Sequence, residues 1–197
     1  MIKTPYIILT TLLLGACAAQ QEHKSYFPPA VFDSRPDKNA FFEMWYSGHL
    51  RALEEEPLPQ KSRDKKKEIY RFTCLRTFHN PFSIRVDVIE GGKDILIRKV
   101  TSGQGGYDSG TLKETQSIVL SRKASETLRE VIDKIGFWDL PTTKRVVGVD
   151  GSQWIVEAVR NGRYHVVDRF TPRPGTDIRT LGESFLSLAG WHPDNLY

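Results

Sequence analysis

Cysteine is scarce: Cys17 and Cys74 are the whole supply in 197 residues. That leaves no disulfide framework and no thiolate cluster for zinc. The five histidines, His23, His49, His79, His165 and His192, are scattered without metal-ligand spacing. Charge of one sign is lacking as well. Basic and acidic residues number 28 and 24 and are spread along the chain, for a net charge of +4 and a pI near 9.0. Such a balance makes no nucleic-acid stripe. It permits a mild preference for anionic partners, such as lipid headgroups or polyanionic envelope polymers. No cofactor motif is found either. The glycine-rich stretch Gly103-Gln104-Gly105-Gly106-Tyr107-Asp108-Ser109-Gly110 has no Walker lysine and does not fit G-x-G-x-x-G before a helix.

What is present begins at the N-terminus. Lys3 supplies a positive region, and residues 6–14 (YIILTTLLL) form an apolar run of nine. A membrane helix needs roughly 20, so the run reads as the core of a signal peptide. Leu14-Gly15-Ala16-Cys17 looks like the lipobox of bacterial lipoproteins. The expectation is a signal peptide over residues 1–16, with Cys17 acylated as the first residue of the mature chain. The alternative is an ordinary secretory signal with an incidental cysteine. Ala18, rather than aspartate, follows the cysteine, and by resemblance to lipoproteins this favours the periplasmic face of the outer membrane. With Cys17 taken by lipid, Cys74 is alone; its alternation with Tyr70 and Phe72 predicts a buried, inert thiol.

Residues 17–36 are polar and proline-bearing and read as a lipidated tether. A helix is expected over 37–56, with Phe42, Trp45, Tyr46, Leu50 and Leu53 at helical spacing. Its aromatic face either packs on the domain's own sheet or serves a membrane or partner. Four strands follow, with β-branched and aromatic residues in 69–77, strict alternation of Ile84, Val86 and Val88, then 94–102 and 112–120. A helix capped by Ser121 and closed by Gly136 comes next, then a hairpin across Asn161-Gly162. A last helix runs over 176–189. Strands grouped apart from helices predict one α+β domain over 37–197, an antiparallel four-stranded meander plus a C-terminal hairpin, with helices on one face.

The hairpin sorts its side chains by alternation. One face carries Trp154, Arg160, Arg163, His165 and Arg169, an aromatic with guanidiniums and an imidazole. It is a candidate surface for an anionic or sugar-like ligand, or else a common exposed sheet face. The other face carries Glu157 and Asp168 as diagonal neighbours, roughly 7 Å apart. With Asp150 these are the candidate carboxylates. Either they serve as acid and base, or each meets an arginine from a neighbouring strand, such as Arg71, Arg76, Arg85 or Arg98. Ser152, His165 and Asp168 make no convincing triad, because residues three apart on a strand face opposite ways.

Six blocks carry a resemblance. They are Trp45-Tyr46-Ser47 with His49-Leu50, Leu75-Arg76-Thr77-Phe78-His79, Gly105-Gly106-Tyr107-Asp108, Phe137-Trp138-Asp139-Leu140-Pro141, Asp150-Gly151-Ser152-Gln153-Trp154 and Tyr164-His165-Val166-Val167-Asp168-Arg169. As a set they resemble a family of bacterial proteins, often lipoproteins, with no established activity. The likeness spans about residues 40–190, implies a single domain and supplies no mechanism. The functional expectation is a lipid-anchored envelope protein that binds a partner protein or envelope polymer without catalysis. The alternatives are an envelope hydrolase and a small-ligand binder at Trp154, His165 and Arg169. No metal or cofactor is expected.

Overall fold

A helix, four strands, a helix, a short strand, a two-stranded hairpin and a final helix follow one another along the chain. They are α1 (Pro36–Ala52), β1 (Glu68–Arg76), β2 (His79–Val88), β3 (Ile95–Thr101), β4 (Leu112–Val119), α2 (Arg122–Lys134), β5 (Thr143–Lys144), β6 (Ser152–Arg160), β7 (Arg163–Phe170) and α3 (Asp177–Leu188). The computed structural model describes residues 25–104, 106–144, 146 and 148–197. The expected signal peptide, Cys17 and the first part of the expected tether lie outside the described residues.

The strands form one sheet in the order β4-β3-β2-β1-β6-β7-β5. All neighbours are antiparallel except β5 and β7. The fold is thus a single α+β domain in which the meander and the hairpin join through β1. The hairpin turns as its dipeptide requires. Asn161 and Gly162 take φ values of 54° and 78°, the geometry of a type I′ turn, and Arg160 stands opposite Arg163. β5 was not expected; two residues carry no periodicity to read.

Helices cover both faces of the sheet, not one. On the larger face Phe72, Trp154 and Val156 pack beneath α2 (Leu128, Ile132) and α3 (Leu181, Phe185). The Ser121 hydroxyl accepts from the Ala124 amide at 3.2 Å to cap α2. The opposite face takes α1, where Tyr46 and Leu50 pack with Leu75, Ile155 and Val166. Tyr26, Phe27 and Phe32 join that cluster. The expected tether therefore gives way to domain by residue 25, because three aromatic rings there are buried. Alternation hides this arrangement: a sheet strand shows two faces, and its apolar pattern does not say what covers each.

α1 stops at Ala52, four residues before the expected end. Glu54 turns the chain with a φ of 53°, its amide bonded to the Arg51 carbonyl and that of Glu55 to the Leu50 carbonyl. This is a Schellman ending with glutamate where glycine is usual.

Gly182 gives a test of packing against propensity. It sits inside α3 against the Trp154 ring, and a β-carbon built there would fall well within contact distance of that ring. Helix propensity alone would make Gly182→Ala stabilising by roughly 1 kcal/mol. The fully buried Trp154 ring has nowhere to move, so the substitution is expected to destabilise by about 2–3 kcal/mol. Urea unfolding of the two proteins decides the sign.

Candidate functional site

The central strand β1 is buried on both faces, and its second face carries a charge. Arg71 has no exposed surface. Its Nε donates to Glu157 Oε2 at 2.8 Å and its Nη2 to the same oxygen at 2.5 Å. Nη1 reaches the Glu56 carbonyl at 2.7 Å. Glu55 lies beside this pair, 3.4 Å from Arg71, 2.5 Å from Arg85 and 3.7 Å from Lys99. Tyr164 donates its hydroxyl to Glu157 at 3.0 Å.

Burial alone would raise the Glu55 carboxyl, but Arg71, Arg85 and Lys99 together hold it below its ordinary value. Burial lifts Glu157 above its usual range against the pull of Arg71 and Tyr164. The Arg71 guanidinium, despite burial, is raised by Glu157 and Glu55. Of the two readings of the carboxylates, Glu157 therefore takes the structural one. It is fully buried, and its bonding partner is the arginine of an adjacent strand.

The expected ligand face of the hairpin is largely covered, although Arg163 is exposed. Trp154 is fully buried beneath α3, its ring 4.8 Å from that of Phe72 and its Nε1 donating to Ser152 Oγ at 2.7 Å. Arg169 ties down the incoming chain, with bonds of 3.0 Å and 2.9 Å to the carbonyls of Thr142 and Pro141. His165 donates from Nε2 to the Leu140 carbonyl at 2.9 Å. Burial lowers its pKa, and Arg163 and Arg169 add to the effect. Arg160 and Arg163 lie over the Trp138 ring at 5.4 Å and 5.2 Å, and Arg160 also pairs with Asp133 at 2.5 Å. Trp154 thus packs under α3, and the other four hold α2 and residues 137–142 to the sheet. Asp150 is exposed at a bend before β6. Cys74 is fully buried, and burial pushes its thiol up to about 12.

A concave surface lies elsewhere, at the end of the sheet where α1 meets Thr143, Lys144 and residues 148–151. There a cleft of about 280 Å³ is walled by Phe42 and Trp45 of α1, by Tyr107 and by Val146 and Val149. Leu75, Gln153 and Asp168 reach it from three strands, and Phe170 closes one side. Asp168 accepts from the Tyr46 hydroxyl at 3.1 Å and from the Gln153 side-chain amide. Thr77 secures the rim by exchanging hydrogen bonds with Gly151, its amide and hydroxyl each 2.9 Å from the Gly151 carbonyl.

The glycine-rich loop is docked on α1. Trp45 Nε1 donates to the Gly106 carbonyl, and His49 Nε2 reaches the same oxygen at 2.8 Å. A carbonyl only accepts, so the His49 proton sits on Nε2. Burial lowers its pKa and keeps the ring neutral. Tyr107 then stacks on Trp45 with ring centres 5.8 Å apart and planes within 13°.

Sequence reasoning marked Trp45 and Asp168 for other reasons and did not mark Gln153, Tyr107 or Phe170 as site residues. A signal for the cleft was nonetheless present. Five of the six sequence blocks set out above contribute to its lining. Among the described residues no group of three or more histidine, cysteine, aspartate or glutamate side chains is placed to hold a metal. No protein-family model matches the chain, and a search of curated proteins returns no match.

The buried ionic cluster has a defined pH dependence. Because the folded-state pKa of Glu55 lies below its ordinary 4.5, its contribution is full above that value and is lost as pH falls through the folded pKa. Glu55→Gln is expected to cost about 3 kcal/mol at neutral pH. That deficit should shrink as pH falls below 4.5. Denaturant titrations of both proteins across this range check it; a deficit unchanged by pH would show that Glu55 does not act as a carboxylate.

Proposed function

We propose that this chain is a lipid-anchored envelope protein, held by acylated Cys17, whose α1 cleft binds an extended segment of a partner protein or envelope polymer without catalysis. The observation that carries the reading is the aromatic-walled cleft with one oriented carboxylate at its floor. Recognition sites are concave and mostly apolar, with a few placed polar groups. Phe42, Trp45, Tyr107 and Phe170 supply the apolar walls, and Asp168 and Gln153 the polar floor.

A hydrolase needs a second acid, base or nucleophile converging on the same point. Glu157 is locked to Arg71, His165 is bonded to the Leu140 carbonyl on the other face of β7, and Asp150 does not line the cleft. The geometry therefore favours binding over turnover. Anchorage and an outer-membrane destination rest on the lipobox and on Ala18. No helix among the described residues is long and apolar enough to cross a membrane.

A photo-crosslinking amino acid at Val149, which stands at the mouth of the cleft, is expected to give one discrete adduct in intact cells. The same group at Val119, exposed on the edge strand β4, should give none. Trp45→Ala should abolish the Val149 adduct while the circular dichroism spectrum is retained. Equal adducts from both positions would sink the cleft as the binding site. Cys17→Ser should separately shift the protein out of the membrane fraction and remove the acyl mass from its N-terminal peptide.

A further inference from the structure

We propose that the outer face of α1, with Tyr107, is a second membrane contact that lies on the leaflet carrying the Cys17 anchor. Eight large apolar side chains are exposed among the described residues, and three of them, Phe41, Met44 and Tyr107, line one depression beside Trp45. Phe78, Ile89 and Val119 lie apart from that group. Phe41, Met44 and Gly48 fall on one helical stripe. Phe41 is 48% exposed and Met44 65%, with Tyr107 at 83% beside them. A β-carbon added at Gly48 would meet nothing, so the stripe is hollow there and forms a shallow depression lined also by Trp45 and Ser109.

The occupant follows from where the chain leads. Ser25, the first described residue, donates its hydroxyl to Glu43 of α1 at 2.6 Å. Eight residue steps separate it from Cys17, a reach of at most about 28 Å. The inference rests on the lipid-anchor reading in this one respect: an acylated Cys17 keeps Ser25, and with it the Glu43 turn of α1, within that distance of the bilayer. Amphipathic surfaces that lie on a membrane bury their apolar face about 5–10 Å into the headgroup region, and Phe, Met and Tyr suit that depth. Lys38 and Arg51 are exposed towards the two ends of α1 and Asp37 offsets one of them, so apolar burial rather than charge carries the contact. The several acyl chains of a lipobox cysteine anchor stably by themselves, so what the contact adds is orientation: it fixes which way the domain faces relative to the leaflet.

The test uses the full lipidated chain in vesicles of phosphatidylethanolamine and phosphatidylglycerol. An environment-sensitive fluorophore is placed at Met44→Cys or, in a second protein, at Val119→Cys. Cys74 is fully buried and does not compete for the label. Lipids carrying a shallow spin-label quencher are expected to reduce emission at position 44 by about twofold or more, with no effect at 119 and no relief in high salt. Unquenched emission at 44, equal quenching at both positions, or loss of quenching in salt would each overturn the contact. A signal at 44 that follows protein density rather than quencher would assign the face to a second copy of the chain and likewise overturn it. Acylation of Cys17 is read separately from the mass of the N-terminal peptide, so a missing anchor and a missing contact are different results.

Discussion

Strand β1 has a neighbour on each side and water on neither face, and Arg71 sits in its middle with no exposed surface. A guanidinium in a dry interior must be paired and hydrogen-bonded or it is strongly destabilising. Its partner stands directly opposite: Arg71 and Glu157 are register partners in the β1–β6 ladder. A slip of one residue would turn Glu157 to the other face, away from its guanidinium partner. The ion pair thus specifies which residues of meander and hairpin meet, although their turns set only the pairing within each half.

The same requirement shapes α1. Glu55 must reach Arg71, Arg85 and Lys99, so the helix ends at Ala52 and the chain reverses through Glu54 at positive φ. The Glu56 carbonyl is drawn in as a further acceptor for Arg71. With its C-terminal end held in this way, α1 lies across the sheet with Trp45 and His49 directed at the Gly106 carbonyl. That oxygen has two lone pairs, and two side-chain donors use them. The cleft wall is therefore a downstream result of the buried charges, through one helix and one carbonyl.

Local rules made much of this fold legible. Asn161-Gly162 announces its turn, Ser121 and Gly136 bracket α2, and alternation in β2 and in the hairpin assigns side chains to faces correctly. What was not legible is what covers each face. Trp154, His165 and Arg169 do share a face, but α3 buries Trp154 and the segment 137–142 half-covers His165 and Arg169. Glu157 was readable as the partner of a strand arginine because a carboxylate at a sheet position has few other ways to be buried. The cleft was least legible, since its lining runs from Phe42 to Phe170 and no short motif spans it. The aromatic stripe of α1 gave half the answer: Tyr46 and Leu50 turn inward, while Phe41 and Met44, outside the expected stripe, face out.

Glu157 and Asp168 lie on one face of the hairpin, and their different surroundings give them different uses. Glu157 is engaged by a guanidinium and a phenol in the interior, so no ligand can reach it without breaking the pair that sets the register. Asp168 is nearly as buried, yet it lines the cleft while the Tyr46 hydroxyl and the Gln153 amide orient its oxygens. For a chain that binds as proposed, a ligand entering between Trp45 and Val149 meets an acceptor already set in direction, at the end of aromatic walls. Such walls reward apolar and ring surfaces, and the oriented Asp168 and Gln153 side chains then set where a polar group of the entering segment can be met.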